Sequence, residues 1–263
     1  MKLATKTVEK VWGRRDLPPP FVNAGDEPVG EIWFEPPPEL PQVLVKYLFT
    51  SEKLSVQVHP SDAQAPQGSR GKEECWLVLN AEPGASLAIG FREPVNADAM
   101  RTAALDGSIE DLLEWHPVKA GDFFYLPAGT VHAIGPGLTL VEVQQNSDIT
   151  YRLYDYGRPR ELHLDEGVAV AKGEPYPPRC RKAVQGDDSE TLVEGPHFRF
   201  SQCAGEPDAA MRARHGGPVQ VLPLDGEIHI EGETIGAGEC GLASTIDAID
   251  FTRAKRTLLV SAA

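Results

Sequence analysis

Short apolar runs separated by glycine and proline recur along almost the whole chain. The 263 residues include 25 glycines and 23 prolines, which stand between most of these runs. Such spacing is typical of β-sandwiches and β-barrels, because each run can form one strand and each turn reverses the chain. The clearest candidate strands span residues 43–50, 54–59, 74–79, 86–91, 122–126, 139–144 and 150–154. The sequence therefore predicts a mainly β fold.

One segment departs from the β pattern. Residues 97–105 are helix formers, Gly107 suits the position that ends a helix, and Ser108 to Asp111 has the spacing of a capping box. We therefore predict a short helical insertion around residues 96–116, between two strands of a barrel.

A polar, proline-rich stretch at residues 171–189 predicts a linker. It would separate a larger N-terminal domain, residues 1–170, from a smaller β unit, residues 190–263. The smaller unit has glycine-punctuated strands but no histidine pattern that suits a metal. We expect it to be a β barrel without a metal site.

The charge of the chain limits its partners. A net charge of −14 repels nucleic acid and anionic membranes, and no run of Lys and Arg compensates for it. No apolar stretch has the length needed to cross a bilayer, so we predict a cytoplasmic location. An anionic small molecule would need basic side chains placed at short range.

Alternation along residues 54–59 predicts a strand with one polar face. Ser55, Gln57 and His59 would point to one side, and the apolar residues between them to the other. An amide and an imidazole on the inner face of a strand suit a barrel interior that binds a ligand.

Two motifs carry a family resemblance. Gly121 to His132 fits G-x5-P-x-G-x2-H, the second motif of the cupin proteins, in which a tight Pro/Gly turn delivers an imidazole into the barrel. The first cupin motif is altered, because Gln57 and His59 are followed by Glu74 only fifteen positions later. With this arrangement, the chain resembles type I mannose-6-phosphate isomerases from Val11 as far as Arg158.

The resemblance implies a cupin (jelly-roll) barrel, followed by a smaller, degenerate cupin-like β domain. It also implies that each chain binds one Zn²⁺ through four ligands: Gln57, His59, Glu74 and His132. Two imidazoles, a carboxylate and an amide oxygen independently suit Zn²⁺, and they also admit Fe²⁺, Mn²⁺ or Co²⁺.

The implied reaction interconverts mannose 6-phosphate and fructose 6-phosphate through an enediolate. We expect zinc and Arg152 to hold the sugar oxygens and Lys72 to position or transfer a proton near them. Glu142 is a candidate base, and a metal-bound water is the alternative. The phosphate is expected to bind to Lys46, Ser55 and Arg158.

Two other functions fit parts of the pattern. A sugar-phosphate-binding cupin without catalytic activity would use the same residues. An iron-dependent cupin oxygenase is a second alternative, but the long spacing between His59 and Glu74 argues against it. The chain is expected to be a monomer or a homodimer.

Overall fold

Nineteen β-strands and four α-helices make up the computed structural model, which describes residues 1–263. The strands are β1 (Thr5–Arg14), β2 (Val29–Phe34), β3 (Val43–Phe49), β4 (Val56–Val58), β5 (Glu74–Ala81), β6 (Ser86–Phe91), β7 (Leu113–Pro117), β8 (Asp122–Leu126), β9 (His132–Ile134), β10 (Leu138–Gln145), β11 (Tyr151–Tyr154), β12 (Arg181–Ala183), β13 (Glu190–Glu194), β14 (Phe198–Ala204), β15 (Val219–Ile230), β16 (Glu233–Gly236), β17 (Gly241–Ala243), β18 (Ile249–Asp250) and β19 (Ala254–Ala262). The helices are α1 (Ala97–Asp106), α2 (Ile109–Leu112), α3 (Leu164–Val170) and α4 (Ala209–Arg214).

The strands form three sheets. A seven-stranded sheet has the order β1-β2-β3-β10-β5-β8-β12, and a five-stranded sheet has the order β11-β4-β9-β6-β7. The third sheet is built around β13-β14-β19-β15-β16, with β17 and β18 also paired to β15. The mainly β fold class predicted from the sequence is confirmed.

The seven-stranded sheet is covered on both faces, which explains why every residue of β3 is buried. On one face, Val45 and Tyr47 belong to an apolar core shared with Phe200 and Val260 of the third sheet. On the other face, Leu48 packs in a second core together with Ile134 of the five-stranded sheet. Lys46 is on this second face by strand alternation.

The helices of the N-terminal part cover the outside of the five-stranded sheet. Val56 and Val58 of β4 share an apolar core with Met100 of α1 and Val170 of α3. The opposite face of β4, which carries Gln57, therefore points toward the space between the two sheets.

Each of the seven strands predicted from the sequence is present, with bounds that differ by at most two residues. The strand predicted from residue 54 begins at Val56, and Leu54 packs in the interior core rather than beside Val56. The alternation predicted for Leu54 is wrong because the regular strand starts after it.

The helical insertion contains α1, which ends at Gly107 in the left-handed conformation, and α2. The predicted capping box is wrong, because the Ser108 hydroxyl donates to the Asp106 carboxylate at 2.6 Å and does not cap α2. Residues 113–116 of the predicted insertion lie in the strand β7 and not in a helix.

Contacts between the N-terminal and C-terminal parts are extensive. The backbone N–H of Leu3 donates to the Cys240 carbonyl at 2.8 Å, and β12, which lies within residues 171–189, pairs with β8. The division of the chain at that linker stays a prediction. None of the helices is long and apolar enough to span a membrane.

Candidate metal centre and adjoining cavity

Two histidines and a glutamate meet in the interior of the N-terminal part. The ligand atoms of His59, Glu74 and His132 lie within 4.8 Å of one another, and all three residues are buried. Nε2 of His59 is 3.6 Å from Oε2 of Glu74, and Nε2 of His132 is 3.4 Å from Oε1. The structure therefore brings together three of the four predicted metal ligands.

Backbone carbonyls orient both imidazoles. Nδ1 of His59 lies 2.8 Å from the Ile149 carbonyl, and Nδ1 of His132 lies 2.9 Å from the Thr130 carbonyl. A carbonyl can only accept, so each Nδ1 carries the hydrogen and leaves the Nε2 lone pair free. This is the orientation that metal-binding histidines commonly use.

The electrostatics favour neutral imidazoles beside a charged carboxylate. Burial, reinforced by the Lys72 ammonium, holds the pKa of His59 well below its ordinary value, and burial also lowers the pKa of His132. Burial alone would raise the pKa of Glu74, but the nearby positive charge, above all the Lys72 ammonium, outweighs it and lowers that pKa. These are the protonation states that metal ligands require.

The surroundings of the Glu74 carboxylate indicate whether the site suits a metal ion. Both of its oxygens are buried; Oε2 meets the Lys72 ammonium at 2.8 Å, whereas Oε1 accepts no hydrogen bond. A buried carboxylate oxygen without a hydrogen bond is costly, and a cation between Oε1 and the imidazole lone pairs would compensate for it. The donor set therefore fits a divalent metal ion.

Gln57 is paired in register with His132 across β4 and β9. Its Nε2 lies 3.3 Å from Nε2 of His132, and its Oε1 accepts a hydrogen bond from the Ser55 hydroxyl at 3.2 Å. Rotation of the amide about its last torsion angle would turn the oxygen toward the cluster. Gln57 as the fourth ligand stays a prediction.

Lys72 contacts two of the candidate ligands. Its Nζ lies 2.8 Å from Oε2 of Glu74 and 3.0 Å from Nε2 of His59, and the side chain is almost fully buried. The Lys72 ammonium thus lies beside the same Glu74 carboxylate and His59 nitrogen that would attract a metal cation.

Next to the cluster, Lys46 and Glu142 form a buried ion pair. Nζ of Lys46 is 2.7 Å from Oε1 of Glu142, and Oε2 accepts the indole N–H of Trp76 at 3.0 Å. Burial works against the charge on Lys46, but Glu142 and Glu31 outweigh it and raise the pKa of the ammonium. The Lys46 ammonium is therefore already paired with the Glu142 carboxylate inside the protein.

A cavity of about 290 Å³ adjoins the cluster, since its lining includes Gln57 and Lys72, which contact His132 and His59. Its charged lining consists of five basic side chains, Lys10, Lys46, Lys72, Arg152 and Arg160, and three acidic ones, Glu31, Glu142 and Asp148. The lining is thus net positive, whereas the whole chain has a net charge of −14. Such a cavity favours an anionic ligand.

Several other predicted site residues also line the cavity. Ser55 lies on its wall, and Arg152 of β11 is paired in register with Gln57. Arg158, in contrast, is not among the lining residues. Its guanidinium donates to the Lys53 carbonyl and lies over the ring of Tyr156.

Arg160 and His163 line the cavity but were not predicted from the sequence. Asp155 accepts two hydrogen bonds from Arg160, at 2.5 and 2.7 Å, and this bidentate pair fixes the guanidinium. Arg160 and His163 lie in the irregular segment between β11 and α3, so no periodicity in the sequence could have indicated them. Trp76, whose indole donates to Glu142, was not predicted as a site residue either. It could have been, because it lies two residues after Glu74 in β5 and therefore on the same face of the strand.

Comparison with known proteins gives one consistent similarity. The chain is 42% identical over 166 residues to the mannose-6-phosphate isomerase of Streptococcus mutans, which covers 59% of this chain and 52% of the relative. It is 42% identical over 168 residues to mannose-6-phosphate isomerase ManA of Bacillus subtilis, covering 59% and 53%. The chain thus spans about half the length of the curated relatives it matches. No family model matches the chain.

Solved structures extend the similarity to the whole chain. The crystal structure of the mannose 6-phosphate isomerase from Bacillus subtilis superposes with a TM-score of 0.78 at 25% identity, covering 98% of both chains. A putative mannosephosphate isomerase from Archaeoglobus fulgidus has a TM-score of 0.74 at 17% identity and shows the shared fold alone. The C-terminal part of the chain is therefore included in the common architecture.

Proposed function

We propose that this chain is a metal-dependent aldose-ketose isomerase that interconverts mannose 6-phosphate and fructose 6-phosphate through an enediolate. The observation that carries the proposal is the group of His59, Glu74 and His132 beside a cavity whose charged lining is net positive. The similarity to mannose-6-phosphate isomerases supports the same reaction. Cytoplasmic location and a monomeric or homodimeric state stay predictions from the sequence.

Zinc is the metal that we propose for the site. Two imidazoles and a carboxylate are a common zinc ligand set, and the Gln57 amide is the proposed fourth ligand. When bound, the ion would polarise the sugar carbonyl and stabilise negative charge on its oxygen.

The metal end of the cavity is the proposed reacting end. Lys72 contacts two candidate ligands there, so its ammonium can donate to O1 and O2 of an open-chain sugar and move a proton between them. Arg152 lies opposite Gln57 in the sheet and is proposed to hold the same oxygens.

Glu142 is the proposed base. Among the carboxylates that line the cavity it is the most buried, and its charge acts directly on His132. A single carboxylate that removes the proton from C2 and returns it to C1 completes the isomerisation, since the two carbons are adjacent. Lys46 would hold this carboxylate in place through the ion pair.

The phosphate is proposed to bind at Arg160, which lines the cavity and is fixed by Asp155. A guanidinium is well suited to phosphate because it offers several N–H groups in one plane. Ser55 lines the same cavity and could donate its hydroxyl, whereas Arg158 would have to leave the Lys53 carbonyl to reach the ligand.

A coupled assay that follows fructose 6-phosphate formation from mannose 6-phosphate tests this function. We expect turnover that a chelator abolishes and that added Zn²⁺ restores. Tight mannose 6-phosphate binding without turnover by the zinc-loaded protein would instead indicate a sugar-phosphate-binding protein. Oxygen consumption by an iron-loaded protein would indicate an oxygenase.

A further inference from the structure

His163 borders the cavity without any role so far assigned to it. It lies directly before α3, at the end of the segment that follows β11, and its ring is half-buried. The ring packs at a tilt against Tyr151, with centroids 6.1 Å apart, which limits its rotation.

Two reciprocal hydrogen bonds join His163 to Arg152. The backbone N–H of His163 donates to the Arg152 carbonyl at 2.8 Å. In return, the backbone N–H of Arg152 donates to Nδ1 of the imidazole at 3.3 Å. The side chain of His163 therefore extends the pairing of an edge strand, and its orientation is fixed by the same residue that lines the cavity.

This arrangement determines which nitrogen carries hydrogen. An imidazole nitrogen that accepts an N–H must present its lone pair, so the neutral ring carries its hydrogen on Nε2. Nε2 of His163 has no hydrogen-bond partner in the protein, although the residue lines the cavity. The ring thus offers one unused N–H donor.

The surroundings of this donor favour an anion. Arg160 lines the same cavity three residues earlier in the chain, and Arg152 is close enough for their charges to interact. The Asp155 carboxylate is engaged by Arg160 through two hydrogen bonds. A neutral N–H beside two cations adds a directed hydrogen bond without adding charge.

We propose that His163 contacts the substrate directly, and that its Nε2–H donates to a phosphate oxygen in a subsite shared with Arg160. This inference rests on the proposed function for the identity of the sugar phosphate. The hydrogen bond itself requires only a phosphate ester in the cavity.

Two substitutions separate this contact from a purely structural role. His163→Asn places an amide oxygen near the position of Nδ1, which retains an acceptor for Arg152, but has no group at the position of Nε2. His163→Gln can reach the position of Nε2 with its amide N–H but loses the acceptor. Thermal unfolding of each variant reports whether the fold is retained.

We expect His163→Asn to raise the KM for mannose 6-phosphate about tenfold with little change in kcat, because a hydrogen bond to a charged group is lost. The His163→Gln variant should bind mannose 6-phosphate more tightly than the His163→Asn variant does. Calorimetric titration with fructose 6-phosphate should show the same loss of about tenfold, whereas affinity for unphosphorylated fructose should not change.

The titration also separates the two proposals. If the zinc-loaded protein has no isomerase activity, but fructose 6-phosphate binding still weakens in His163→Asn, the isomerase function fails and the His163 contact stands. If His163→Asn binds fructose 6-phosphate as tightly as the unsubstituted protein, the contact is refuted whatever the activity. Equal weakening for phosphorylated and unphosphorylated fructose would refute it as well.

Discussion

The ammonium of Lys46 and the carboxylate of Glu142 form an ion pair of 2.7 Å, with less than a tenth of either side chain exposed. The two residues are directly opposite each other in β3 and β10. Removing one member leaves the other charge buried without a partner. We therefore expect Glu142→Gln to destabilise the protein by about 3 kcal/mol or more in urea unfolding.

An exposed ion pair provides the control for this prediction. Lys255 and Asp225 lie 3.3 Å apart, with 73% and 60% of their side chains exposed. Asp225→Asn should cost less than about 1 kcal/mol, because water screens the pair. Equal costs for the two substitutions would contradict the importance of burial at Glu142.

We expect the Lys72 ammonium of the unsubstituted protein to weaken zinc binding and to be required for isomerase turnover. Its ammonium contacts His59 and Glu74, so it competes with a divalent ion for the same ligands. We expect Lys72→Met to bind Zn²⁺ about tenfold more tightly or better in a chelator competition, and to lose isomerase activity. Lys10→Met, which removes a cation from the cavity wall away from the ligands, should change zinc affinity much less. Weaker zinc binding by Lys72→Met would contradict this account.

Gly129 is required by the turn that precedes His132. Its φ is +84°, and a Cβ there would lie 2.8 Å from the Val170 carbonyl oxygen. Gly84 has a similar φ of +86° but open space around it, so Gly84→Ala measures the conformational cost alone. We expect about 1 kcal/mol for Gly84→Ala and about 3 kcal/mol for Gly129→Ala. Only Gly129→Ala should also weaken zinc binding, which equilibrium dialysis can measure.

The sequence predicted the strands and the metal cluster better than it predicted the packing of the sheets. Apolar runs between glycine and proline turns predicted the positions of the strands, and the P-x-G-x2-H motif predicted that His132 would point into the interior. Glu74 was expected in the cluster only because the family resemblance implies it, since no local pattern links it to His59 fifteen residues earlier. The stacking of the third sheet on β3 could not be predicted, since a fully buried strand does not specify what covers each face.

The part of the cavity wall that contains Arg160 was harder to predict from the sequence. Arg158 and Arg160 have the same parity, and only the turn that begins at Asp155 determines which guanidinium reaches the cavity. Tyr156 adopts a positive φ in this turn, and such a reversal leaves no periodic signal. The capping-box prediction at Ser108 failed for a similar reason, because a competing acceptor, Asp106, lies two residues away.

These two arginines give a direct test of phosphate binding. Arg160 lines the cavity, whereas Arg158 bonds to a backbone carbonyl, although both lie near Asp155. We expect Arg160→Met to raise the KM for mannose 6-phosphate about thirtyfold, because a charge-assisted hydrogen bond is lost. Arg158→Met should raise it less than about threefold. A larger effect at Arg158 would restore the assignment predicted from the sequence.

His215 should make folding stability depend on pH. It is fully buried between the hydroxyls of Ser201 and Ser261, each 2.9 Å from a ring nitrogen. Burial, aided by the charges of Arg214 and Arg199, lowers its pKa from 6.5 to about 4. Between these values the unfolded chain binds more protons than the folded protein, so stability falls as the pH falls through this window.

The loss at His215 amounts to at most about 3 kcal/mol at pH 4. His215→Gln cannot be protonated and should remove this part of the pH dependence. Urea unfolding at several pH values between 7 and 4, for both proteins, measures the difference. Parallel curves for the two proteins would show that His215 does not cause the loss.

We expect the zinc-loaded chain to move a proton between C2 and C1 of a sugar phosphate. Incubation with mannose 6-phosphate in D₂O, followed by proton NMR, measures this transfer. We predict that fructose 6-phosphate appears and that chelation stops its formation; solvent deuterium enters C1 in those turnovers in which the protonated base exchanges with D₂O before it returns a proton. An unchanged spectrum of mannose 6-phosphate, from folded protein with its zinc bound, would contradict the claim.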